Sequence, residues 1–582
     1  MQTLPRLSGE AGGGRRCRLS PLVGGGRRGP PVTNRPGPTH PPQQVGRSPH
    51  NRPRALNPKR WILAAAVLGS GIVFLDSTVV NVALPRIGRD LPRSFLGVLE
   101  GQSYVYNAYL LSLCALLILA GALSDYFGRR RMFLWGLVGF GVTSVLCGLA
   151  PNIELLVLFR VLQGVAGAIL VPGSLALLTA NFEGEAQGRA FGLWAGASGA
   201  TTILGPFIGG LLVDTISWRA AFLINVPLII VALWATYVHV PESRDETASR
   251  HFDWIGSAIV ALAVGGLAFG TIYGQQRDWQ DPLGYVALAV GVLCTIVLPF
   301  YMARVPHPLI PLSLFRSRNF TVTNISTLVI YGALYVTFYY LTLFVQGTIG
   351  YTAAAAGLAG IPGTLFLVFL SARFGGLAGR IGSRIFMAVG PAMMAVGVLW
   401  YARMPATSTA WHLEPQNPTT WAPPLSYVID LLPAGIIFGL GLSLLVAPLT
   451  TALMRSVPAH RAGLGSAINN AISRVGPQLA GALIFVFITA SFYSSIAARR
   501  TDINVNDPAF RKLVSPLNPS GIPIMGSLVR DASTTAFHLA MMVGAALLIL
   551  GAIVNAVGIQ DPAKAPAREA APGRTEPAKE AL

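Results

Sequence analysis

An acid and a base stand inside long apolar runs of this chain, Asp76 in the first run and Arg160 in the fourth. An ionisable group held in hydrocarbon is expensive, and is a functional candidate by default. The chemistry open to such a pair is proton transfer. Burial penalises a charged carboxylate and a neighbouring cation favours it, so a conformational change that separates the two can load or release a proton. A second reading is a structural ion pair that fixes helix packing. Asp76 falls about fifteen residues into its run. If that helix runs outward and the fourth runs inward, both residues lie ~10 Å from the outer ends of their helices and share one layer of the membrane.

Other chemistries lack their residues. A nucleotide-driven pump needs G-x-x-x-x-G-K-[ST], and the only lysines are Lys59, Lys512, Lys564 and Lys579, none in that setting. No HExxH pair and no loop cluster of acids suggests a membrane enzyme. His412, in a Trp/Pro-rich loop, reads as surface decoration. The four cysteines are Cys17, Cys114, Cys147 and Cys294; three lie in apolar windows and none forms a CxxC pair. Neither a disulfide framework nor a zinc site follows. No cofactor and no metal is expected.

The elements that must position Asp76 and Arg160 are transmembrane helices. Of the 582 residues 52% are apolar and 12% charged, about half the charged share of a soluble domain. Windows long enough to span, ~20 residues, fall near 61–83, 99–119, 133–150, 155–179, 190–213, 221–240, 255–274, 284–302, 320–345, 353–372, 385–403, 427–454, 463–494 and 533–556. The fold class is therefore an all-α polytopic membrane protein of fourteen spans. No cleavable signal peptide is visible, because the first run, from Trp61, is long enough to remain a span.

The formal charge of +19 resembles a nucleic-acid signature, but residues 1–60 hold twelve Arg/Lys against the single acid Glu10. That segment is rich in Gly and Pro and has no apolar run, which predicts a disordered basic tail near anionic lipid headgroups. A start codon assigned too early is the other reading; no nucleic-acid partner is expected. Fourteen arginines fall in the loops on the tail's side, among them Arg130, Arg244, Arg380 and Arg461, and six in the short loops opposite. The positive-inside rule then places both termini in the cytoplasm.

An internal repeat is legible. Gly121-x-Leu123-x-Asp125-x-x-Gly128-Arg129-Arg130, after the second run, matches Gly375-x-Leu377-x-Gly379-x-x-Gly382-x-Arg384 in register, 254 residues later. Arg189 followed by Gly205-Pro206 likewise matches Arg461 followed by Gly476-Pro477. Runs one to six thus correspond to runs nine to fourteen, with two inserted between, and even-numbered halves give parallel repeats about an axis normal to the membrane.

These residues carry a resemblance. Leu75-Asp76-Ser77-Thr78-Val79-Val80-Asn81, the Gly121–Arg130 motif, Arg160-Val161-Leu162-Gln163-Gly164, and Gly192 with Gly205-Pro206 and Gly209-Gly210 resemble the major facilitator superfamily, specifically its fourteen-span drug:proton antiporters. Trp218-Arg219, Asn225-Val226-Pro227, Phe252-Asp253-Trp254 and Pro311–Arg316 are further landmarks. Two departures are Thr201, where the antiporter motif has another glycine, and Glu100–Tyr104, which replaces a Gln-Trp pair.

The resemblance implies a major facilitator fold of two six-helix halves. Residues 61–240 would form the first bundle, 241–303 two inserted helices with a cytoplasmic loop, and 304–560 the second bundle; 1–60 and 561–582 would be tails. It implies proton coupling by Asp76 and Arg160 and a cytoplasmic gate of Gly121, Asp125, Gly128, Arg129 and Arg130, although that cluster also simply satisfies the positive-inside rule. The glycines and Pro206 of the fifth run either pack helices closely or form a rocking hinge. Asn81, Gln163 and a stripe of Asn324, Tyr331, Tyr335 and Tyr339 are candidates to line the substrate cavity; an aromatic packing face is the equal alternative for the stripe. Arg474 has no assigned partner.

The expected function is secondary active transport, proton-coupled efflux of small amphipathic compounds, with a proton-linked metabolite exporter or importer as the nearest alternative. A receptor or scaffold is the alternative of another class. The expected partners are a small-molecule substrate, protons and the lipid of a cell inner membrane. A monomer is expected, with envelope partner proteins left open.

Overall fold

The computed structural model describes residues 58–92, 98–244, 252–276, 279–414, 417–500, 502–507, 510–511, 514, 516–517 and 526–561. The expectations for residues 1–57 and 562–582 therefore lie outside the described residues. Among the described residues fourteen long helices carry the fold: α1 Pro58–Asp90, α2 Val98–Phe127, α3 Arg129–Gly148, α4 Ile153–Asn181, α5 Gly184–Thr215, α6 Asn225–His239, α7 Trp254–Gln276, α8 Pro282–Arg304, α9 Arg318–Leu343, α10 Ile361–Ile381, α11 Arg384–Tyr401, α12 Leu432–Arg455, α13 Ala462–Arg499 and α14 Gly526–Gly558. With α6 taken from Ala220, thirteen of them are long and apolar enough to cross a membrane among the described residues; the other, α5, runs for 32 residues. Helices are the expected solution, since every backbone polar group in lipid must find its partner within the segment.

Local chemistry sets the helix ends. Asn152 caps α4 by accepting from Leu155 N, and Asp281 caps α8 ahead of Pro282; both side chains supply an acceptor that the first helical turn otherwise lacks. The repeat motif is not the loop that the sequence suggests. Gly121–Phe127 completes α2, Gly128 alone breaks the chain, and Arg129 opens α3; likewise α10 runs to Ile381 and Gly382 makes the break. Apolar windows stop where charge begins, whereas a helix continues as long as its polar groups reach partners at the membrane edge.

Most of the helix–helix contacts among the first six helices recur among the last six. α1 packs on α4, α5 and α6, α2 on α4, and α3 on α4 and α6; α9 packs on α13 and α14, α10 on α12, and α11 on α12 and α14. Between the two groups, α5 meets α10 and α2 meets α13. Both seams rest on glycine. Along α5, Gly188 lies against the Gly375 backbone, Gly192 against Ser371 and Ala372, and Gly196 against Val368, with Ser371 Oγ donating to Gly192 O at 2.7 Å. A Cβ on Gly121 of α2 would lie 2.5 Å from Gly463 O of α13. Removing side chains lets backbones approach, which is how helices associate where lipid is as apolar as leucine. Further along α5 the glycines turn to α1, Gly205 against Thr78 and Gly209 against Val79, whereas nothing approaches Gly210. Thr201, the departure from the motif, bonds back to Ser198 O and meets Gly71 of α1 in ordinary contact.

The remaining pair, α7 and α8, pack tightly on each other, and α7 rests on α2 and α13.

Both helix breaks are built alike. Gly128 and Gly382 have φ of 109° and 105°. Glu242, just past α6, accepts from Arg130 N and Arg131 N at 3.1 Å each, and Asp561, just past α14, accepts from Ser383 N at 2.7 Å and Arg384 N at 3.1 Å. A side chain at Gly128 meets both a disfavoured backbone region and the Glu242 carboxylate, 2.8 Å away. Gly128→Ala should therefore destabilise the protein by on the order of 1–3 kcal/mol, seen as a lower melting temperature in detergent. Gly210→Ala should leave it unchanged or slightly raised; equal losses at the two positions would contradict the assignment.

Candidate proton and gating site

Asp76 is contributed by α1, Arg160 by α4, and they meet with both side chains fully buried, Arg160 Nη1 donating to Asp76 Oδ2 at 2.5 Å. α3 and α6 complete the shell. Asp76 Oδ1 accepts from Gln163 Nε2 at 3.1 Å and from Asn225 Nδ2 at 3.0 Å, and both amides also donate to Ser144 Oγ, at 2.8 and 3.2 Å. The guanidinium has further partners. Its Nε donates to Val105 O at 3.1 Å and its Nη1 to Gln163 Oε1 at 2.7 Å, while its carbon stands 4.1 Å from the Tyr109 ring centre and 5.7 Å from that of Phe222. Tyr109 is held in turn by donating to Val73 O at 3.0 Å. Arg160 Nη2 and Asn225 Oδ1 are buried without a hydrogen-bond partner among the described residues.

Helical phase explains the membership. Gln163 follows Arg160 by three residues and shares its face, whereas Asn81 follows Asp76 by five and is rotated by about 140°. Gln163 thus belongs to the ion pair's shell, and Asn81 is exposed on α1.

The second cluster sits at the break between α2 and α3. Asp125 and Arg129, both buried, pair at 2.9 Å. Asp125 also accepts from Gly463 N at 3.1 Å and Leu464 N at 2.8 Å, so an acid on α2 caps the first turn of α13 in the other helix group. Arg129 donates to Ala459 O just before α13. Arg130 remains within its own group, donating to Tyr237 O at 2.6 Å. The equivalent seam carries opposite polarity: Glu185 in the first turn of α5 pairs with Arg189 at 2.6 Å and with Arg380 of α10 at 2.5 Å.

On α9, Asn324 is buried and accepts from Asn469 Nδ2 at 3.1 Å, which also donates to Thr327 Oγ1 at 2.8 Å. Tyr335 and Tyr339 stack with centres 5.3 Å apart, and Tyr335 covers Gly481 of α13. Tyr331, one turn earlier, is partly buried. Gly192, Gly205 and Gly209 serve as close-contact positions in two different interfaces; Pro206 lies within α5 between them.

Sequence reasoning missed Ser144, Tyr109, Glu185, Glu242 and Asp561. A lone serine or tyrosine in an apolar window carries no signal. The repeat could have found the last two, since each is the acid three residues past the sixth helix of its half.

Comparison with known proteins identifies the frame around these clusters. The model of the Major Facilitator Superfamily matches residues 66–495. The multidrug resistance protein Stp of Mycobacterium tuberculosis is 32% identical over 78% of this chain and 80% of its own length. The multidrug export protein EmrB of Haemophilus influenzae is 29% identical over 84% of this chain and 90% of its own. The solved human organic anion transporter MFSD10 shares the fold, with a TM-score of 0.52 at 14% identity, over 86% of this chain and all of the other. The chain is a multi-pass membrane transporter, not an enzyme, and it belongs to the Major Facilitator Superfamily.

Proposed function

We propose that this transporter is a proton-coupled exporter of small amphipathic compounds in a cell inner membrane, with Asp76 as its proton carrier and both termini in the cytoplasm. Residues 61–240 and 304–560 act as two bundles that rock against each other, with 241–303 inserted between them and 1–60 and 561–582 as tails. The Asp125–Arg129 cluster latches the cytoplasmic ends.

The observation that carries the reading is the set of partners that Arg160 has besides Asp76. When the carboxylate is charged, Arg160 Nη1 bonds it; when it is protonated, Val105 O, Gln163 Oε1 and the Tyr109 ring still hold the guanidinium. A buried cation that keeps these partners tolerates a neutral neighbour, which a bare ion pair does not. Asn225 and Gln163, each joined to both Asp76 and Ser144, hold the carboxylate's second oxygen and tie three helices to its charge state. Relatives named for multidrug resistance and export favour efflux as the direction. One proton moving through ~100 mV and about one pH unit releases ~3.7 kcal/mol, which supports a gradient of a few hundred-fold for a neutral compound at ~1.4 kcal/mol per decade. One carboxylate suffices.

Asp76→Asn should abolish substrate accumulation driven by a pH jump in proteoliposomes while leaving binding and exchange in place. Folded Asp76→Asn protein that still concentrates substrate would end the proton-carrier assignment. A purely structural pair would show itself differently, through poor expression of Asp76→Asn and of Arg160→Ala alike. Orientation is checked separately by cysteine labelling in cells. A cysteine replacing Arg380 should react with thiol reagents only after the membrane is permeabilised, and labelling from outside would invert the topology.

A further inference from the structure

Arg474 stands at mid-depth on α13, ~18 Å from its first turn, and pairs with no carboxylate among the described residues. Its guanidinium is close enough to the Cys114 thiol and to Tyr106, Tyr109 and Tyr331 to act on them electrostatically. Those neighbours come from both helix groups: Tyr106, Tyr109 and Cys114 from α2, Tyr331 from α9. Arg474 is partly exposed, and so are Asn470 and Gln478, one turn before and one turn after it. The three form a polar stripe with period four along α13, one face of a helix. The membrane side of this seam is covered by α7, whose Gly265 lies against Ala115, the residue after Cys114. Two residues past Arg474, Gly476 lies against the Leu328 backbone of α9, and α13 also packs on α2, so this stretch of α13 runs beside one helix of each group.

An arginine kept at this depth without a counter-ion is costly unless something of opposite charge visits it. Asp76 is already committed to Arg160, and Asp125 to Arg129. We infer that Arg474 receives the negatively charged group of the transported compound, with Gln478 as a neighbouring hydrogen-bond donor and Tyr331 as an aromatic wall. The substrate class is then amphipathic aromatic anions, carboxylates foremost, because a guanidinium matches a carboxylate with two parallel hydrogen bonds. This rests on the reading of the chain as an exporter, and it specifies what is exported. Tyr109 connects the two sites, since one ring stacks on Arg160 and lies within the field of Arg474. A charge arriving at Arg474 is therefore felt beside the proton carrier.

The test is equilibrium binding of three matched probes, 2-naphthoate, methyl 2-naphthoate and 2-naphthylmethylammonium, to the full-length protein in phosphatidylcholine nanodiscs, with empty discs as the blank. Wild type should bind naphthoate about tenfold or more tightly than the ester, the size of one charge-assisted hydrogen bond, and the ammonium weakest. Arg474→Gln should lower naphthoate affinity about tenfold more than ester affinity, and Arg474→Lys should keep part of the preference. Discs containing phosphatidylglycerol distinguish the source of the anion: competition with naphthoate in wild type, absent in Arg474→Gln, would assign the site to a lipid headgroup. Wild type that binds naphthoate no better than the ester, or that prefers the ammonium, overturns the inference even if the variants fail to fold. Equal weakening of all three probes in Arg474→Gln also overturns it, because a merely structural arginine would behave so. Binding needs no proton gradient. A preserved naphthoate preference alongside uphill transport by Asp76→Asn would therefore reject the coupling scheme and leave the anion site standing.

Discussion

Charge kept away from water must be answered on the spot, and most of the polar architecture here follows from that constraint. The Asp76–Arg160 pair is enclosed on all sides, so its attraction is screened far less than at a surface, and an unmatched partner would be correspondingly expensive. Gln163 and Asn225, on two different helices, converge on one carboxylate, and Ser144 of a third helix accepts from both amides. α1, α3, α4 and α6 are thereby referenced to a single point. Any change in that carboxylate's charge alters the fit of four helices at once, which is what a transporter needs if a proton is to move a bundle.

Where charge is absent, glycine sets the architecture. The two seams between the helix groups bring backbone against backbone, from Gly188 to Gly196 along α5 and at Gly121–Gly463 between α2 and α13. Such contacts contain no interlocked side chains to disentangle, and dispersion over a smooth surface falls off quickly once the backbones part. The charged groups beside them, Asp125 on one seam and Glu185 on the other, add directional bonds that are made or lost as units. Smooth contact with a polar clasp suits an interface that must open repeatedly without unfolding.

Much of this was legible in the sequence. Twenty-residue apolar runs have few alternative explanations, and the common depth of Asp76 and Arg160 followed from counting residues along two antiparallel helices. The end of α2 was not legible, because polarity marks the membrane boundary and the helix outlasts it. Of the cavity assignments, the stripe on α9 followed from helical spacing and the repeat, whereas helical phase separates the other two: Gln163 joins the ion pair while Asn81 turns away from it. Arg474 was conspicuous as a lone cation, yet its surroundings come from α2 and α9, distant in sequence, so only the packed structure could bring Cys114 and Tyr331 to it. The seam glycines carried a further ambiguity. Gly192 and Gly205 stand thirteen residues apart on one helix and face different neighbours, which no single-helix pattern reveals.

The α7–α8 hairpin is bound to itself through small residues: Gly266 and Gly270 of α7 lie against the backbone at Ala287, Leu288 and Gly291 of α8. It therefore owes little of its internal cohesion to the bundles on either side. It also crosses the bilayer twice and returns the chain to the side from which it left. A module with both properties can be spliced between two halves of an older gene, or removed from it, without reversing the topology of anything downstream. A single added helix would have turned the entire second half upside down, exchanging its two ends across the membrane. Parity, more than sequence, is the property that such an insertion has to preserve.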